Sequence, residues 1–149
     1  MNLPEYEAKI TKRGDKLYIM DIIRHKYVAL TPEEWVRQHF VNYLITDKGF
    51  PKELIANEVL IKLNDMPRRC DTVVYDKHLN PIIIIGYKAM TVGITEKVFD
   101  QIVRYNMVLN VEYLIVSNGI KHYCCKMDSA NQQYSYLSDI PHYSEIVSV

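Results

Sequence analysis

The chain has 149 residues, and its eighteen basic side chains are balanced by eighteen acidic ones. That length suits one domain that buries a full core without staples, and a net charge of zero excludes bulk electrostatic attraction to nucleic acid, leaving room only for a local basic patch. The three cysteines, Cys70, Cys124 and Cys125, lack CxxC spacing, which argues against a disulfide framework or a zinc site and points to buried, reduced thiols in a cytoplasmic protein.

The first sixteen residues, MNLPEYEAKITKRGDK, contain no apolar signal region. No apolar run anywhere approaches the ~20 residues of a membrane span. The stretch KLYIMDIIRHKYVAL (16–30) reads as two strands around a polar turn at Arg24–Lys26. TPEEWVRQHFVNYLIT (31–46) is a helix: Thr31 caps it, Pro32 takes the first turn, and Glu34 stands three after the cap as in a capping box. Val36, Phe40, Tyr43 and Leu44 share its apolar face, and His39 reads as a packed side chain near that face.

LIANEVLIKLN (54–64) is an alternating strand, with Glu58, Leu60 and Lys62 opposite in facing to Val59, Ile61 and Leu63. CDTVVYD (70–76) and PIIIIGYKAM (81–90) are two strands joined by the polar loop KHLN, which is hairpin spacing. TEKVFDQIVRYNMVLN (95–110) is a second helix capped by Thr95, with Val98, Phe99, Ile102, Val103 and Met107 inward. A buried strand EYLIVSN (112–118) and two further strands within KHYCCKM and QQYSYLSDI complete the chain. Glycine and proline number only five and six and fall singly, so no linker is expected. The expectation is a single α/β domain over 1–149 with a mixed sheet: a β-hairpin extension over 1–30, a core over 31–126 and a C-terminal β extension over 127–149.

Chemistry concentrates in the hairpin. If its loop turns near residues 78 and 79, Asp71 lies opposite Gly86, and Lys88 shares the face of Gly86. A carboxylate beside a lysine at the end of an apolar strand reads either as a structural ion pair or as a hydrolytic site, the carboxylate holding Mg²⁺ and the lysine supporting the attacking water. Gln101 and Tyr105, four residues apart on the second helix, project from one face and are suited to a phosphate backbone. Arg68 and Arg69, just before Asp71, read either as phosphate contacts or as a solvated turn.

RRCDTVVYD, IIIIGYKA, ITEKVFDQIVRYN and YLIVSNG together resemble the N-terminal nuclease domain of type I restriction enzyme R subunits, a branch of the PD-(D/E)xK superfamily. The resemblance runs over about residues 25 to 145, is strongest to short stand-alone bacterial forms of the domain, and implies a restriction-endonuclease-like αβββαβ core over 31–126. It also implies roles: Asp71 for metal, Lys88 for the lysine of the half-motif, Gln101 and Tyr105 for the QxxxY motif of the RecB-like branch, and Glu34 for an acidic residue of the first core helix. Mg²⁺ is the implied cofactor and DNA the implied partner. Modification, specificity or helicase subunits would act in trans, since the chain has no GxxxxGK[ST] phosphate loop.

The departure is Gly86, where the family pattern has Glu or Asp. Three consequences stay open on the sequence: Mg²⁺ held by Asp71, Glu34, the Tyr87 carbonyl and water; a carboxylate brought in from Glu34 or Glu58; or a degenerate nuclease. The functional expectation is a Mg²⁺-dependent endodeoxyribonuclease-like domain weakened or inactivated at Gly86. The alternative is a non-catalytic DNA-binding or protein-interaction module on the same fold.

Overall fold

The computed structural model describes residues 1–63, 65–128 and 130–147. The first three strands, β1 (Ile10–Arg13), β2 (Lys16–Asp21) and β3 (Lys26–Ala29), form an antiparallel sheet of their own. The expected hairpin over 1–30 thus gains a third strand, hidden in the sequence because ITKR is too short and polar to signal one. The turn after β2 spans residues 22–25, so Lys26 already belongs to β3.

Asp21 builds that turn. Its Oδ1 accepts from the N–H groups of Ile23 (2.8 Å) and Arg24 (2.9 Å), and Oδ2 accepts from Arg24 Nε at 2.6 Å. Burial works against the charge of this fully enclosed carboxylate, but hydrogen bonds from Arg24, Ile23 and Asn57 hold its pKa below the ordinary aspartate value. A depressed carboxylate contributes stability above the unfolded pKa of about 3.9 and loses it as pH falls through the lower folded value. Asp21→Asn is therefore expected to cost ~1–2 kcal/mol of stability in urea unfolding at neutral pH. The gap to wild type should close below about pH 4.

Helix α1 (Pro32–Lys48) begins as expected: Thr31 Oγ1 accepts from the Glu34 N–H at 3.1 Å, and Gly49 closes the helix at φ +70°. The capping box is only half formed, since the Glu34 carboxylate turns inward to Arg37 and Gln38. His39 is buried as expected, with Nδ1 2.8 Å from the Trp35 carbonyl and its ring against Tyr6 and Trp35.

The main sheet has six strands in the order β4 (Ile55–Leu63), β5 (Met66–Tyr75), β6 (Pro81–Tyr87), β7 (Tyr113–Ser117), β8 (His122–Asp128) and β9 (Gln133–Leu137). Among the described residues only β6 and β7 run parallel, and α2 (Glu96–Asn106) makes the crossover that a parallel pair requires. Val36, Phe40 and Leu44 of α1 pack on one sheet face with Val74, Ile83, Ile85 and Ile115. Phe99, Val103 and Met107 pack on the other with Val73, Ile84, Leu114 and Val116. The result is a mixed sheet with a helix on each face, carrying the order α1–β4–β5–β6–α2–β7 foreseen for the core.

Several boundaries move. The division at 126/127 falls inside β8, and β9 pairs with β8 in the main sheet, so the C-terminal residues complete that sheet; they end in a one-turn helix, α3 (Tyr143–Ile146). Helix α2 stops at Asn106, and a 3-10 turn over Met107–Leu109 ends at Asn110 with φ +58°. Val98 is substantially exposed, leaving the inward face of α2 narrower than expected. Cys70, Cys124 and Cys125 are buried and free, with burial pushing the last two thiols up to about 12. Among the described residues, no helix is long and apolar enough to cross a membrane.

One irregularity sets up the site. Asn57 pairs with Thr72 and Val59 with Cys70, leaving Glu58 and Asp71 opposed between them. Strict alternation would send residues 55, 57, 59 and 61 to one face. Instead Ile55 joins the α1 face, while Val59 and Ile61 pack on the α2 face. On β5 likewise, Cys70 and Val73 share the α2 face though three residues apart. The alternation slips at Glu58, whose φ of +54° lies in the left-handed region. A non-glycine residue there costs of order 1–3 kcal/mol and persists only where its surroundings impose it. Cys70 and Arg68 on β5 are thereby turned toward α2.

Candidate active site cleft

The β5–β6 hairpin turns over Asp76–Asn80, with Asp76 Oδ1 accepting from the N–H groups of His78 and Asn80, both at 2.9 Å. Thr72 pairs with Ile85 and Val73 with Ile84, so Asp71 stands opposite Gly86, as the spacing predicts. The Tyr87 N–H donates to Asp71 Oδ2 at 3.1 Å and fixes the carboxylate at the end of the hairpin. The Lys88 N–H continues the ladder to the Ser117 carbonyl at 2.9 Å, while its side chain is exposed.

Asp71, Gly86, Lys88, Gln101 and Tyr105 line one cleft of about 450 Å³ between the hairpin and α2. Arg68 and Arg69 complete its rim. Both arginines belong to β5, so the solvated turn, one of the two readings of this pair, gives way to an ordered strand. Of the two readings of Asp71 and Lys88, the structural ion pair is not formed among the described residues. Three cations and one carboxylate therefore line the cleft, which gives a locally positive surface on a neutral chain.

Nothing in the fold requires glycine at 86. Its φ lies outside the left-handed region, and a Cβ built there meets no atom within 4 Å. The glycine leaves open the space that a carboxylate facing Asp71 would fill.

Glu34 and Glu58 are engaged elsewhere. Arg37 on α1 donates to Glu34 through Nε (2.9 Å) and Nη2 (2.6 Å), to Glu58 Oε1 at 2.8 Å, and through Nη1 to the Asp71 carbonyl at 2.7 Å. Gln38 Nε2 adds a bond to Glu34 at 2.8 Å. Burial works against the Arg37 charge, yet the Glu34 and Glu58 carboxylates hold its pKa above the ordinary arginine value. Behind this group, Tyr87 OH donates to Thr72 Oγ1 and Thr72 Oγ1 to Asn57 Oδ1, while Asn57 Nδ2 donates to Asp21. Arg37 escapes sequence reasoning because an arginine on an inward helix face reads as a long side chain reaching solvent. Its signal was Glu34 three residues before it.

The donor set fits Mg²⁺ poorly. The ion takes oxygen ligands in an octahedron that usually includes one or two carboxylates. Here Asp71 is the one carboxylate of the cleft, and one of its oxygens already accepts from Tyr87. No group of three or more His, Cys, Asp and Glu among the described residues is placed to hold a metal.

A mixed sheet clothed by one helix on each face, with a cleft at the end of a central hairpin, is the architecture of an α/β nuclease-like core. The sequence model of the family described as type I restriction enzyme R protein N terminus (HSDR_N) matches residues 32–141, well over half of the chain. The chain belongs to that family. A search of curated proteins returned no match.

Proposed function

We propose that this is a nuclease-type domain that holds the DNA backbone in the cleft and whose phosphodiester hydrolysis is weakened or lost at residue 86. The observation that carries the reading is the shared cleft: Asp71, Lys88, Gln101 and Tyr105 converge there around an open space at Gly86. On this reading Lys88 meets a phosphate oxygen as a point charge, and Gln101 and Tyr105 help seat the backbone from α2. The same placement supports assignment to the PD-(D/E)xK group with a QxxxY motif. With Glu34 and Glu58 tied to Arg37, neither is available to replace the carboxylate missing at 86. Specificity, modification and translocation belong to other parts of a type I system.

The same open space favours, as the second reading, a module on this fold that binds DNA and cuts nothing. Both readings predict binding without metal. Fluorescence anisotropy with a short labelled duplex is expected to give the same Kd in EDTA as in Mg²⁺, weakening steeply with salt. Lys88→Ala should weaken binding and lower the salt slope by about one. Absence of binding, or binding that appears only with Mg²⁺, would overturn the proposal.

A further inference from the structure

We infer that Arg68 is the phosphate-binding residue at the cleft rim and that Tyr105 acts through it, as the ring that positions its guanidinium. The inference rests on the proposed DNA-binding cleft and assigns a residue that the half-motif and the QxxxY pattern leave out.

Arg68 Cζ lies 4.4 Å from the centroid of the Tyr105 ring. Its Nη2 donates to Asn106 Oδ1 at 3.1 Å, and the Asn106 amide is itself held by the Ile102 carbonyl at 2.7 Å. The guanidinium is therefore clamped between one turn of α2 and the cleft, with its remaining N–H donors directed to no acceptor among the described residues. Arginine has five donors in a rigid fork that matches phosphate oxygens, so a partly used, pre-oriented guanidinium is suited to a backbone phosphate. Tyr105 is 66% exposed, and its contribution to the described surface is the face it offers to this cation.

The placement is a consequence of the slip at Glu58. With unbroken alternation along β5, Arg68 would share the face of Thr72 and Val74, toward α1. The slip at the level of Asp71 turns it toward α2 and into the cleft. The strained residue thus has a functional result: it brings the Arg68 cation to the cleft that Arg69 and Lys88 also line.

The test is duplex binding by anisotropy in EDTA across a salt series, for wild type, Arg68→Gln, Tyr105→Phe and Tyr105→Leu, with the fold of each checked by thermal melting. Arg68→Gln is expected to bind about tenfold more weakly, with the salt slope lowered by about one. Tyr105→Phe keeps the ring and should bind more tightly than Tyr105→Leu, which should approach Arg68→Gln. A Tyr105→Phe loss as large as that of Tyr105→Leu would place the phosphate on the tyrosine hydroxyl and overturn the inference. So would an Arg68→Gln variant that binds as wild type, with the cleft proposal left standing. Wild-type protein that binds no duplex would overturn both.

Discussion

Gly86→Glu is expected to raise the affinity of the cleft for Mn²⁺ or Mg²⁺ by more than about 100-fold, read by calorimetry against wild type. Altering a residue that merely supports a metal ligand costs 10–100-fold in affinity, and supplying a missing ligand should count for more. The fold accepts the change: the backbone is ordinary strand and the new side chain enters empty space. Residue 86 faces Asp71 across an antiparallel pair, where opposed Cβ atoms lie about 4.5–5.5 Å apart, close enough for two carboxylates to share one ion. Without metal the same two charges repel, so the variant should melt below wild type in EDTA and gain stability on adding Mn²⁺. Asp71→Ala in the Gly86→Glu background should erase the gain. Equal metal affinity in wild type and Gly86→Glu would remove residue 86 from the explanation.

The largest effect on stability is expected at Arg37. Arg37→Leu should cost ~3–5 kcal/mol in urea unfolding, because it leaves the Glu34 carboxylate buried without its partner. Both side chains are nearly enclosed, at 8% and 6% exposure, while Glu58 at 31% is partly solvated and adds less. Arg37→Lys should rescue little. A lysine cannot bind Glu34 through two donors while also reaching Glu58 and the Asp71 carbonyl. The double change Arg37→Leu with Glu34→Leu should recover much of the loss, since an apolar pair can replace a buried ion pair at little cost. A loss below about 1 kcal/mol for Arg37→Leu would mean that water reaches Glu34 and that the group is a surface cluster.

Much of the frame was legible in the sequence because local and tertiary preferences agree there. Thr31, Pro32 and Gly49 bracket α1, and the isoleucine run of β6 is the buried central strand it looks like. The facing of Asp71 and Gly86 followed from a loop length alone. What stayed hidden depends on a backbone state that sequence does not announce. A glutamate carries no signal for a positive φ, so the switch that sets Val59 and Ile61 on the opposite face from Ile55, and carries Arg68 into the cleft, could not be read from the sequence. Glu34 was ambiguous for a related reason. Its backbone N–H donates to the cap that its position predicts, while its carboxylate answers to Arg37 one turn on, a pair that the packing of α1 against β4 and β5 encloses. Val98 was counted as core because helical spacing cannot tell a packed face from the wall of a cleft.

The proposed function, a cleft that keeps the grip of a nuclease and has lost its catalysis at residue 86, is put to the test by incubating supercoiled plasmid with the wild-type protein and Mn²⁺. The plasmid is predicted to remain supercoiled at protein concentrations that saturate DNA binding. Nicking by the wild-type chain that disappears in Asp71→Ala would show a working site without the carboxylate and contradict the account.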